Sequence, residues 1–243
     1  MSADPMRREQ LKENLAAVRA RIDRAKLAAG RTDDVTLVVV TKTFPATDVQ
    51  VLAELGVRDV GENRDQEAKA KRSEVDAPDV RWHMIGRLQS NKAASVAQWA
   101  DVVESVDRES LVPRLAAGAQ RRSELGGGPV DVLIQVSLDG PGEVDRGGAH
   151  PGDIPDIAQA VQQAGPAVRL GGVMAVAPHP DSGVDPVQAF ETLAEIARVL
   201  RQDHPDARVI SAGMSGDLEE AIRAGATQVR IGGAVLGQRP RVQ

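Results

Sequence analysis

Cysteine and tyrosine are both absent from the 243 residues, and aromatic side chains make up only 2%. Without cysteine there are no disulfides, no thiolate metal sites and no thiol nucleophile. Without tyrosine no phenol can serve as an acid or base. Long apolar runs are missing too, and no stretch approaches the ~20 residues that span a bilayer. The opening Met1-Ser2-Ala3-Asp4-Pro5-Met6-Arg7-Arg8-Glu9 lacks the apolar segment of a secretory signal. An excess of positive charge is also lacking. The net charge is −5, which argues against a nucleic-acid footprint. These absences together suit a cytoplasmic protein that binds neither membrane nor nucleic acid.

What is present is enough apolar material, 42% of residues, for a sizeable core. After Pro5, Leu11, Leu15, Val18 and Ile22 recur at helical spacing with charges between them, which predicts an amphipathic helix ending near Gly30. Strand patterns then follow at 35–41, 57–61, 81–85, 101–106, 130–136, 168–176, 208–211 and 227–231. Helical patterns separate them at 48–55, 64–72, 90–99, 109–125, 154–163, 186–200 and 218–224, and a short helix starts at Gly233. Alternating βα units imply a parallel sheet with right-handed crossovers. Eight such units in this length fit a single α/β TIM barrel, (β/α)₈, with an extra N-terminal helix, better than the alternative doubly wound sheet. No Pro- or Ser-rich linker divides the chain, so residues 1–243 read as one domain, with 1–30 as a helix packed on the barrel.

Lys42 ends the run Val35-Thr36-Leu37-Val38-Val39-Val40-Thr41-Lys42-Thr43. A lysine at the end of a β-branched strand sits at the rim of a sheet with its stem in apolar surroundings. Partial desolvation then lowers its pKa and frees the amine for Schiff-base chemistry with a carbonyl compound. The plainer reading is a strand-end lysine that reaches solvent. In a barrel, active sites lie at the C-terminal ends of the strands, often with a phosphate site after the seventh and eighth. The loops there read Ser211-Ala212-Gly213-Met214-Ser215-Gly216-Asp217 and Arg230-Ile231-Gly232-Gly233-Ala234. Glycines and hydroxyls at a helix start suit an anion, although ordinary turn chemistry explains either loop alone. Gly140–Asp153 reads as a long polar loop. Asn63 and Ser90 read as helix caps, and the acid pair Glu219-Glu220 as a favourable charge in a first helical turn. His83, inside a strand, reads as a core histidine. His150, His179 and His204 lie in Pro-rich loops without ligand spacing, so no metal site is expected.

Taken together, Val40-Thr41-Lys42-Thr43, Gly61-Glu62-Asn63-Arg64, the segment from Trp82 to Lys92, Gly213–Glu219 and Val229–Gly232 resemble the pyridoxal phosphate homeostasis family. The resemblance implies a barrel like the N-terminal domain of alanine racemase. It implies pyridoxal 5'-phosphate held as an internal aldimine on Lys42. It further implies a phosphate cradle at Ser211, Ser215, Gly232 and Gly233, with Arg230 facing the pyridine nitrogen and Asn63, His83 and Met174 lining the site. The family is regarded as a carrier or regulator of vitamin B6, with apo-enzymes that use the cofactor as recipients. This chain departs from the family pattern at Arg87, often His; at Arg146-Gly147-Gly148, often Lys-Ser-Gly; and at Leu236, often Phe. No role is carried over to Arg87 or Arg146.

A racemase is the rival expectation. Two-base racemisation needs an acid/base on each face of the bound substrate, and in the resembling racemases the second is a tyrosine from a separate β-domain. This chain has no tyrosine and no stretch left for such a domain. An aldolase-like barrel, with a Schiff-base lysine but no cofactor, is a third reading. No long exposed apolar helix face calls for a partner, so a monomer is expected.

Overall fold

Eight short strands line up side by side and close on themselves. The computed structural model describes residues 4–139, 147–178 and 183–237. Its strands are β1 (Thr36–Val40), β2 (Asp59–Glu62), β3 (Arg81–Met84), β4 (Val102–Val106), β5 (Val130–Gln135), β6 (Val168–Met174), β7 (Val209–Ser211) and β8 (Gln228–Ile231). They run in sequence order in a closed parallel barrel, with Val39 of β1 in register with Ile231 of β8. Closure removes both sheet edges and decides against the doubly wound alternative. The helices are α1 (Pro5–Ala28), α2 (Ala46–Glu54), α3 (Asp65–Glu74), α4 (Ala93–Trp99), α5 (Val112–Glu124), α6 (Ile154–Gln163), α7 (Pro186–Asp203), α8 (Leu218–Arg223) and α9 (Gly233–Leu236).

Strand alternation sorts the side chains into two cores. Val39, Val60, Met84, Val103, Val173, Ile210 and Val229 face outward and join the helices in one large apolar cluster. Val102, Leu133 and Met174 form a separate cluster on the other face, inside the barrel. Buried polar side chains, among them His83, Glu104, Gln228 and Arg230, share the barrel with that cluster and position the site described below.

The N-terminal helix docks by its apolar stripe and by ion pairs. Leu11, Leu15, Val18, Ile22 and Ala25 are buried. Arg21 meets Glu219 through Nε at 2.5 Å and Nη2 at 2.6 Å, so one member of the acid pair anchors α1 to α8. Asn14 donates to the Val235 carbonyl at 2.9 Å, and Arg7 pairs with Asp48 of α2 at 2.6 Å.

Two capping expectations are corrected. The cap position of α3 is Arg64, not Asn63, and it makes no side-chain cap bond. The fourth helix starts at Ala93 rather than at residue 90, because the Ser90 hydroxyl accepts from Arg108 Nη2 at 3.0 Å instead of capping. A 3-10 turn, Glu109–Leu111, precedes α5 where one continuous helix was expected; Pro113 at the start of α5 marks the break.

Candidate functional site

The C-terminal ends of β1, β6, β7 and β8 bring most of the predicted residues to one rim. Thr41 continues the ladder by donating its N–H to the Gly61 carbonyl at 2.9 Å. Its hydroxyl turns outward to Glu62 Oε1 at 2.6 Å, so alternation sends the next residue, Lys42, to the lumen side. Lys42 is half-buried. Thr43 then adopts a left-handed conformation, φ 70°, and the chain turns into α2.

The end of β8 lies beside that of β1. A Cβ added at Gly232 would sit 3.4 Å from the Cβ and the carbonyl oxygen of Val40, whereas one added at Gly233 would meet nothing within 4 Å. Gly232 and Gly233 open the short helix α9, whose first N–H groups have no partner within the helix. In the preceding loop Gly213 has φ 92°, and a Cβ there would lie 2.8 Å from that of Ala221, so the turn needs glycine. Ser215 is exposed, and its carbonyl accepts from Arg21 Nη1 at 2.8 Å. Met174 is in register with Ser211 and is buried in the lumen.

Beneath the rim runs a buried chain of polar groups. Arg230 Nη1 donates to Ser211 Oγ at 2.7 Å and Nη2 to the Ala175 carbonyl at 2.8 Å. Ser211 Oγ donates to Glu104 Oε2 at 2.6 Å, and Gln228 Nε2 donates to Glu104 Oε1 at 2.8 Å and Ser211 Oγ at 2.9 Å. His83 Nδ1 is 2.7 Å from Glu104 Oε1 and Nε2 is 3.0 Å from Asp59 Oδ1. Burial disfavours a charged ring, but the hydrogen bonds to Asp59 and Glu104 outweigh it and raise the His83 pKa to about 8. Burial likewise works against the Glu104 carboxylate, yet the His83 hydrogen bond holds it below the usual range. Burial lowers the Arg230 pKa, opposed by Glu104 and Asp217, and a guanidinium keeps its charge regardless.

This chain of contacts constrains what each predicted residue can do. Both His83 nitrogens are taken by carboxylates, so the ring offers a ligand no free nitrogen. The Ser211 proton goes to Glu104, so what Ser211 presents toward the rim is a fixed Arg230. Asn63 lines a cleft of about 490 Å³ with Arg64, Glu67, Arg87 and Lys92, next to the rim. Arg146, with the rest of residues 140–146 of the polar loop, and His179 lie outside the described residues. Glu104, Asp59 and Gln228 were not singled out from sequence. The signal for Glu104 was available: a carboxylate in the strand Val102-Val103-Glu104-Ser105-Val106, buried on both sides, has no place without a cation. Among the described residues no cluster of acidic or histidine side chains has the arrangement to hold a metal ion.

Barrel and rim together define a class. The alanine racemase N-terminal domain family matches residues 13–240, and the alanine racemase of Streptomyces coelicolor superposes with a TM-score of 0.71 at 21% identity, over 91% of this chain and 58% of its own. That likeness is one of fold. Within the class, the chain belongs to the pyridoxal phosphate homeostasis protein family. The protein of that name from Mycobacterium tuberculosis is 42% identical over 258 residues, covering 98% of this chain and 96% of its own. PipY from Synechococcus elongatus, solved with PLP bound, is 32% identical with a TM-score of 0.78 over 93% of this chain and 100% of its own.

Proposed function

We propose that this chain binds pyridoxal 5'-phosphate as a Schiff base on Lys42 and serves cofactor homeostasis in the cytoplasm, as one unit and as a monomer. The observation that carries the reading is the meeting of the β1 and β8 ends, which brings a lysine, a buried arginine and a glycine-walled opening to one rim. When bound, the cofactor supplies an aldehyde that condenses reversibly with a primary amine and releases one water. The donor set fits it. Lys42 is the amine. Gly232 and Gly233 leave room for an anion against backbone N–H groups, and the exposed Ser215 adds a hydroxyl. Arg230 would face the pyridine nitrogen. A guanidinium donates hydrogen bonds and accepts none, so it favours an unprotonated ring nitrogen. Ser211 and Glu104 hold Arg230 in place, while Met174, Asn63 and His83 close the surrounding wall.

Carrier is favoured over racemase on the side chains that could supply a second proton-transfer group among the described residues. The His83 nitrogens are occupied and tyrosine is absent. Recipients would be apo-enzymes that use the same cofactor. Titration of the purified protein with pyridoxal 5'-phosphate tests the reading: the absorption band of an imine is expected, and Lys42→Ala should abolish it. Retention of the band in that variant would remove Lys42 from its role. Incubation of loaded protein with L-amino acids in deuterated water should exchange α-protons at well under roughly one turnover per second, a modest enzyme rate. Faster exchange would favour the racemase.

A further inference from the structure

Lys42 is held from behind. Among the described residues, Thr43 is the only one other than glycine with a positive φ, 70°. For a β-branched residue that conformation is strained and persists only when its surroundings impose it. Its N–H donates to Glu67 Oε1 at 2.6 Å. On the other side of Lys42, the Thr41 carbonyl accepts from Lys71 Nζ at 3.0 Å. Lys71 also binds Glu62 Oε1 at 2.6 Å and Glu67 Oε1 at 3.2 Å, and Glu62 Oε1 takes the Thr41 hydroxyl. Lys71 and Glu67 lie one turn apart on α3, and Glu62 ends β2, so the cluster sits between barrel and helix layer rather than in the lumen.

The cluster is costly for a purely structural feature. The Lys71 side chain is 5% exposed and that of Glu62 is fully buried, with Glu62 Oε2 left without a hydrogen-bond partner. Burial pushes the Glu62 carboxyl up, against the hydrogen bond and charge of Lys71. Apolar residues of similar volume would hold strand to helix at least as well as a buried ion pair. What they would not supply is an acceptor for the Thr43 N–H and a donor for the Thr41 carbonyl.

We propose that Glu67 and Lys71, with Glu62 as their anchor, are positioning residues that clamp the two peptide groups flanking Lys42 and impose the left-handed turn at Thr43. Lys71 and Glu62 are buried between barrel and helix layer, and Glu67 borders the cleft that Asn63 lines. They act through the backbone, fixing where the Lys42 side chain starts. This inference rests on the reading that Lys42 holds the cofactor.

The test combines cofactor affinity with amide exchange in the cofactor-free full chain. Glu67→Ala is the main variant, since that side chain is 28% exposed; circular dichroism and melting are expected to show an intact fold. Its dissociation constant for pyridoxal 5'-phosphate should rise roughly tenfold, the worth of one charge-assisted hydrogen bond. The Thr43 amide should exchange faster even without cofactor. Lys71→Met should act in the same direction; if it does not fold, Glu67→Ala decides alone. Glycine adopts φ near 70° freely, so in a Thr43→Gly background the Glu67→Ala loss should shrink to about threefold or less. A merely structural role for Glu67 would not be suppressed in this way. Wild-type affinity in folded Glu67→Ala overturns the clamp, and so does a tenfold loss that Thr43→Gly leaves unchanged. If wild-type protein shows no imine band, the Lys42 reading falls, while amide exchange at Thr43 still reports on the clamp itself.

Discussion

A single buried imidazole ties the barrel floor to the rim that carries Lys42. His83 lies between Asp59 below and Glu104 above, and Glu104 in turn holds Ser211, which holds Arg230. The ring's folded pKa, about 8, is above its ordinary value of 6.5. A raised pKa means that the folded state binds the proton more tightly than the unfolded chain does. The stabilisation is therefore complete below pH 6.5 and is lost as pH rises through 8. Its size is about 2 kcal/mol. Urea denaturation at about pH 6 and about pH 9 should differ by that amount in stability, and His83→Gln should flatten the difference. An equal loss in the variant would assign the pH dependence elsewhere.

At the level of elements, β6 carries the clearest conformational demand. Its register with β5 shifts between Val132 and Leu133, and Gly172 sits at the irregularity with φ 148°. A Cβ there would lie 2.0 Å from the Val209 carbonyl oxygen on β7, a backbone atom that cannot swing away. Gly172→Ala should cost about 3 kcal/mol or more, read as a fall in denaturation midpoint with no compensating gain in cofactor binding. A variant as stable as wild type would mean that β6 can shift without disturbing β7.

Element type was legible in the sequence wherever periodicity was long. The stripe Leu11, Leu15, Val18, Ile22 marks α1, and the limits of α6, 154–163, coincide with the expected ones. Ends were less legible because caps compete with tertiary contacts, as Ser90 does when it turns to Arg108. In the site, Lys42 and the glycine loops stood out because they lie at strand ends. Glu104 is marked locally as a buried carboxylate, but its partners Ser211 and Gln228 lie on β7 and β8, across the lumen, and Asp59 finds His83 on neighbouring β3. Those partners depend on strand order and register, which no local pattern reports.

Both faces of the barrel wall carry buried polar contacts close to the rim that bears Lys42. Inside, the chain from Asp59 to Arg230 orders the floor of the rim. Outside, the Glu62–Lys71–Glu67 cluster holds the strand that delivers Lys42. In the inner set both His83 nitrogens are taken by carboxylates. The α1 helix closes the seam next to β8 through Arg21, Asn14 and its apolar stripe, steadying the loop and short helix that would receive the phosphate. The most direct measurement is borohydride reduction of the protein loaded with pyridoxal 5'-phosphate, followed by peptide mapping. A single pyridoxyl label is expected, on the peptide that contains Lys42. A label on any other lysine, or none, would mean that Lys42 does not hold the cofactor.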